Sequence, residues 1–221
     1  MTPRIFLLHA YRFSMGPIDE AFAEQWPQAQ AIRLLDESLY ADAGADGTLP
    51  ADIVARLVSL FRHCALSGGQ GIVFTGSTFG PAVEAARAAV AIPVLKADEA
   101  MTEAAVARGG RVLILATAKR ALPVLRASLD AAAAAAGAKI EIGETWVQGA
   151  KEANDAGRSA DHDRLIAEAA ASAGTWDTIM LGQMSMAPAI EHMRPELASR
   201  VLSSPSASVA KMKRLVGWLR A

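Results

Sequence analysis

Hydroxyl and amide side chains crowd two turns of this sequence. Thr75, Ser77 and Thr78 follow the apolar run Gly71–Phe74, and Gln183 and Ser185 follow the apolar run Thr178–Leu181. Thr117 follows a third such run, Arg111–Ala116, at the equivalent edge. Groups of this kind, together with the backbone N–H groups of a tight turn, suit a carboxylate or an enolate-like pair of oxygens. In both stretches a proline, Pro81 or Pro188, opens a helical pattern. Proline is tolerated there because its missing N–H would bond nothing. Each turn therefore aims N–H groups and a positive helix end beyond its strand tip. A plainer role fits Thr78 and Ser185 as well, that of helix-start residues bonding the first turn.

Groups that could move a proton are scarcer. His9 ends the first apolar run and is placed near the cleft mouth, as a base or as a structural residue. Tyr11, Arg12 and Ser14 lie on the loop after it, and Arg12 could clamp a second carboxylate or be solvated. Lys96 and Glu99 follow a strand tip, where approach to the cleft or a plain mutual salt bridge both fit. His63, His162 and His192 are expected at the surface. Cys64 sits in the apolar stripe of a helix and reads as core. No His or carboxylate set has metal-ligand spacing. The run Gly68-Gly69-Gln70-Gly71 precedes a strand, so it is no dinucleotide fingerprint.

The elements that must position these residues repeat. GIVFTGSTFGPAVE and TIMLGQMSMAPAIE match under one shift: Thr78, Pro81 and Glu84 fall on Ser185, Pro188 and Glu191 (185−78, 188−81, 191−84, each 107). The same shift carries Arg4–Leu8 onto Arg111–Leu115. Apolar runs flanked by Gly read as strands buried on both faces. Strands are expected at Arg4–Ala10, Ala31–Leu35, Gly71–Phe74, Pro93–Leu95, Arg111–Ala116, Ile140–Trp146, Thr178–Leu181 and Val201–Leu202. Helical patterns alternate with them, among them Asp52–Leu66, Arg120–Ala136 ending at Gly137, and Asp161–Ser172. The expected class is therefore α/β: two pseudo-symmetric lobes, each a four-stranded, mainly parallel sheet flanked by helices, with a cleft between them. Lobe 1 is read as residues 1–97 plus 203–221, and lobe 2 as 98–202. A turn at Ser203-Ser204-Pro205 leads into a closing helix, Ala207–Leu219, expected to pack back on lobe 1. Asp36–Pro50, with turn residues Asp42, Gly44, Asp46 and Gly47, reads as a long loop that is functional or mobile. Gln148–Ser159 reads as a second loop.

Bulk properties exclude some functions. The 221 residues are 52% hydrophobic, enough for buried cores, and the formal net charge is −1. A sequence-independent nucleic-acid binder would need a basic excess. A single cysteine excludes an internal disulfide and a cysteine-based metal cluster. No apolar run is long enough to span a membrane, and the start carries no signal-peptide cleavage pattern. A cytoplasmic protein without cofactor or metal is the expectation.

The ordered set IFLLHAYRFSMGPIDEAF, IVFTGSTFGPAVEAAR, PVLKADEAM, VLILATAKR, HDRLIAEAAA, IMLGQMSMAPAI and VLSSP resembles the aspartate/glutamate/hydantoin racemase superfamily, which includes maleate isomerase and arylmalonate decarboxylase. The resemblance covers nearly the whole chain. It implies an inter-lobe active site, a small carboxylate or hydantoin-like ligand, proton transfer or C–C cleavage next to a carboxylate, and homodimers or higher homo-oligomers. It also implies one cysteine in each turn, acting as acid and base on opposite faces of a carbon. Those positions hold Gly76 and Gln183 here, and neither can take up and deliver a proton near neutral pH. In arylmalonate decarboxylase the first position is also glycine, but the second cysteine remains. The catalytic group is therefore unassigned, with His9 and Glu99 as candidates. Thr75, Gly76, Ser77, Thr78, Thr117, Gln183, Met184 and Ser185 are the expected substrate-binding residues. Loss of activity with retained binding is the alternative. Gly76 is expected to leave space where a thiol would sit, with apolar surface from Met184 and Met186, favouring a bulkier, partly apolar acid.

Overall fold

The computed structural model describes residues 2–44 and 48–217. The expected turn residues Asp46 and Gly47, and the end of the closing helix at Leu219, lie outside the described residues. The first half runs β1 (Arg4–His9), α1 (Met15–Gln25), β2 (Gln30–Leu35), α2 (Glu37–Asp42), α3 (Ile53–Leu66), β3 (Gly71–Phe74), α4 (Gly80–Ala86) and β4 (Val94–Leu95). The second runs α5 (Glu99–Arg108), β5 (Gly110–Ala116), α6 (Leu122–Ala136), β6 (Ile140–Trp146), α7 (Ala150–Asp155), α8 (Ser159–Ser172), β7 (Thr178–Leu181), α9 (Pro195–Ala198), β8 (Val201–Ser203) and α10 (Ser204–Leu215).

The strands form two four-stranded sheets, ordered β2-β1-β3-β4 and β6-β5-β7-β8, and every pairing is parallel. Helices cover both faces of each sheet. That is why the central strands are apolar throughout instead of alternating. The internal repeat is carried into the hydrogen-bond register. Ile5 lies opposite Gly71 as Val112 lies opposite Thr178, and Ile72 opposite Val94 as Ile179 opposite Val201. All four positions move by 107 (112−5, 178−71, 179−72, 201−94). The outer strands break the rule: Arg4 faces Gln30, whereas Arg111 faces Glu141, a shift of 111 (141−30). The reason is helix length. α1 has 11 residues and α6 has 15, so the second crossover carries about one extra turn.

Each sheet face has its own core. Leu8, Phe74, Leu57, Phe61 and Cys64 pack on one side of the first sheet. Ile5, Leu7 and Val73 pack on the other, against Ile18 and Phe22 of α1 and Val209 and Met212 of α10. The closing helix does return to the first sheet. A Cβ on Gly71 would lie 2.4 Å from Met212 Sδ, so the absent side chain seats that helix.

The differences from sequence reading are local. The expected loops 36–50 and 148–159 contain α2 and α7, six residues each. Helices that short carry no readable periodicity, although Asp36 caps α2 by accepting from Ser38 N at 3.1 Å. The closing helix begins at Ser204, because Pro205 fits its first turn. After β7 the chain forms a 3₁₀ segment, Met184–His192, with Pro188 inside it, whereas Pro81 sits in the first turn of α4. A proline that deep in the segment interrupts an α-helical ladder.

Candidate active site

All parallel strands of a sheet send their C-terminal tips to one edge, and loops from both sheets meet there around a cavity of about 40 Å³. Thr75, Gly76, Ser77, Thr78, Thr117, Gln183, Met184 and Ser185, the eight expected binding residues, all line it. So do Tyr11, Ser14, Tyr40 and Lys151. The sequence pattern had not singled out Tyr40 and Lys151. Both follow strand tips, β2 and β6, and that topological position was the available signal.

The polar groups of the cavity divide into tied and untied. Gln183 Oε1 accepts from Thr117 N at 2.8 Å and from Thr117 Oγ1 at 3.3 Å. This leaves Gln183 Nε2 buried without a hydrogen-bond partner among the described residues. Ser77, Thr78 and Ser185 are 5%, 4% and 8% exposed. The residues at the cap positions of the two turns, Gly76, Phe79 and Gln183, make no side-chain capping bond. Buried polar groups are nearly always paired, and an unpaired one costs about 1–3 kcal/mol. Polar side chains from both turns therefore converge on a space that suits an acceptor-rich guest. Helix ends add less than expected, because α4 has only seven residues and the second turn is 3₁₀.

His9 lies beneath the floor, 0% exposed. Its Nδ1 is 2.9 Å from Thr75 Oγ1 and 3.1 Å from Ser14 Oγ; the two hydroxyls are 2.7 Å apart. Ser14 Oγ donates to Tyr11 O at 2.7 Å. If Thr75 donates to Ser14 and His9 Nδ1–H donates to Thr75, every hydrogen in the chain has one acceptor, and Nε2 is left as a buried lone pair. Burial pulls the imidazole down to about 4, so it is neutral near pH 7.

The other candidates sit elsewhere. Glu99 does not line the cavity. Arg87 donates to its Oε2 at 3.0 Å and Lys211 to its Oε1 at 2.6 Å. Burial would raise its pKa, but Lys211 and Arg87 outweigh burial and hold it below the usual range. The expected Lys96–Glu99 pair is replaced by this cluster, with Lys96 Nζ 3.4 Å from Glu84. Arg12 grips Glu37 through two bonds, at 2.8 and 2.7 Å, in the open. His162 is buried and bonded to Asp163 at 2.7 Å, against the surface placement expected for it. Cys64 is core, its thiol pushed up to about 12 by burial. No group of three metal-ligating side chains occurs among the described residues, and no helix there is long and apolar enough to cross a membrane.

Gly76 does not open space. A Cβ there would meet Phe74 Cε1 at 2.8 Å and Phe79 Cδ2 at 2.9 Å, while φ is −94° and needs no glycine. The two rings, 5.6 Å apart and edge-to-face, fill the volume a side chain would start from. Met186 is buried in the second-sheet core and does not reach the cavity. Gly76→Cys is accordingly expected to lose about 1–3 kcal/mol by overpacking, read as a lower urea midpoint. Trimming Phe79 to Leu should recover part of the loss. An unchanged midpoint in Gly76→Cys would contradict this packing.

The Asp/Glu/Hydantoin racemase family profile matches residues 16–212. No curated protein matches the chain by sequence. Among solved structures, allantoin racemase from Klebsiella pneumoniae is 19% identical with a TM-score of 0.70, covering 98% of this chain and 88% of that one. A glutamate racemase from Bacillus anthracis is 13% identical with a TM-score of 0.73, covering 97% and 83%. Arylmalonate decarboxylase is 20% identical with a TM-score of 0.65, covering 97% and 93%. These likenesses show the fold: two all-parallel lobes with matched strand order. With the profile spanning most of its length, the chain belongs to the Asp/Glu/Hydantoin racemase family.

Proposed function

We propose that this protein binds a small carboxylic acid, or a hydantoin-like ring, between the two lobe turns, and that two-thiol racemisation is not its chemistry. The observation that carries this is the convergence of buried Ser77, Thr78, Ser185 and Gln183 Nε2 on one cavity. A carboxylate offers the acceptor oxygen that Gln183 Nε2 lacks, and oxygens to which the three hydroxyls can donate. The positions where the family resemblance implies thiols hold Gly76 and Gln183, and no thiol, imidazole or carboxylate is among the residues lining the cavity.

The chain from His9 through Thr75 to Ser14 favours a second, catalytic reading. In the other tautomer, with Nδ1 unprotonated and the hydrogen on Nε2, a proton taken from the carbon next to the bound carboxylate would pass to Thr75 Oγ1 as the Thr75 proton moves on to His9 Nδ1. Deuterium exchange separates the two readings. Wild type and His9→Gln are incubated with propionate, malonate or hydantoin in D2O. Binding without exchange at the carbon supports the binding protein. Exchange that disappears in His9→Gln supports the relay. No binding of any of these compounds at millimolar concentration would sink both.

A further inference from the structure

Outside the inner cavity lies a wider crevice of about 490 Å³, lined by Tyr40 of lobe 1 and by Lys119, Arg120, Trp146, Lys151 and Glu152 of lobe 2. Tyr40, Thr117, Ala118 and Lys151 line both spaces, so the crevice is the vestibule of the cavity. Its charge is unbalanced. Lys151 is neutralised by Asp155. Arg120 has no carboxylate partner among the described residues; it donates to the carbonyls of Ala43 at 3.0 Å and Gly44 at 2.7 Å and lies 4.1 Å over the Tyr40 ring. Lys119 also has no carboxylate partner there, and its Nζ stands 5.3 Å over Trp146. Glu152 is the opposing charge on the wall.

Trp146 is held in place by donating from Nε1 to Thr117 O at 3.1 Å. That ties the outer ring to the residue whose N–H and hydroxyl anchor Gln183 in the inner cavity. It is 36% exposed, large for a tryptophan beside a cleft. Two such cations beside an exposed tryptophan in one crevice match an anionic group carried on a planar spacer. The cations attract the charge, and Trp146 offers ring surface to the spacer, the Tyr40 ring being covered by Arg120 and Tyr11.

We propose that the vestibule is a second subsite, and that the ligand class is an acid with two separated anionic ends joined by an aromatic spacer. One carboxylate enters the inner cavity and the other end lies between Lys119 and Arg120. This rests on the proposed carboxylate site and adds the outer half of the ligand. It also restores a place for a bulky acid, outside the cavity instead of at Gly76.

The test compares propionate, phenylacetate and 4-carboxyphenylacetate by calorimetry on wild type and on Lys119→Gln and Lys119→Glu. Lys119 is exposed and holds no element together, so both variants should fold. The doubly charged acid is expected to bind about 10-fold more tightly than phenylacetate, with the advantage shrinking as salt rises. Lys119→Gln should cut that advantage several-fold and Lys119→Glu should abolish it, while propionate binding stays unchanged. Monoacids that bind without any advantage for the diacid would overturn the subsite and leave the inner site standing. An advantage indifferent to both variants would do the same. Failure of all three acids to bind would overturn the inner site, and this subsite with it.

Discussion

Gln183→Glu is expected to weaken binding of a small carboxylate at least about 100-fold near pH 7, a loss of about 2.7 kcal/mol. The substitution is isosteric. One oxygen keeps the bonds from Thr117 N and Thr117 Oγ1, so the turn should hold its shape. The other replaces Nε2, turning a buried donor into a carboxylate oxygen that faces the ligand's own charge. Two like charges about 4 Å apart at a partly shielded site repel by about 4 kcal/mol, more than the predicted loss, so the direction is secure against partial screening. Calorimetric titration with propionate is the measurement. Affinity should return as pH falls and the introduced carboxylate is protonated. A variant binding within about threefold of wild type would remove Gln183 from the site.

The second large effect is on stability and comes from His9. Its imidazole is lowered from 6.5 to about 4 by burial. Between those values the unfolded chain binds a proton that the folded chain does not. Stability is therefore fully present above about pH 6.5, falls with pH through this window, and is lost to the full extent near pH 4. Going from about pH 7.5 to about pH 5, this one group should cost about 2 kcal/mol. Carboxylates titrate nearby, so the informative quantity is a difference. Urea unfolding of wild type and His9→Gln at both pH values should show the variant less stable at the higher pH, where it loses bonds to Ser14 and Thr75. The variant should also lose about 2 kcal/mol less on acidification. Equal pH dependence in the two proteins would mean that His9 is not held neutral.

Much of the lobe plan is legible because it rests on long buried strands. Runs such as Phe6–Leu8 and Leu113–Leu115 are apolar at every position, and their repeat at 107 survives into the pairing of Ile5 with Gly71 and Val112 with Thr178. The cavity-lining turns were legible for a related reason, since they directly follow buried strands. Three things were not. α2 and α7 are too short for a helical period to show. Tyr40 and Lys151 meet Tyr11 only in the folded chain: the two rings stack at 5.3 Å, and Tyr11 donates to Asp155 at 2.6 Å across the lobes. Gly76 misleads because a missing Cβ does not mean empty space. Phe74 and Phe79 fill that space, and no local pattern says which way their rings turn. Glu99 misled because nearness to a strand tip does not reveal that Arg87 and Lys211 claim it.

The central claim is that the two turns hold one carboxylate between them. Nuclear magnetic resonance on 15N-labelled protein tests it most directly. The side-chain amide signal of Gln183 is assigned by its disappearance in Gln183→Glu, and propionate is then titrated into wild type. The prediction is a saturable shift of that signal, moving with the backbone amides of Ser77 and Ser185 at a single dissociation constant. Binding that leaves the Gln183 amide and both turns unmoved, or no binding at millimolar acid, would contradict it.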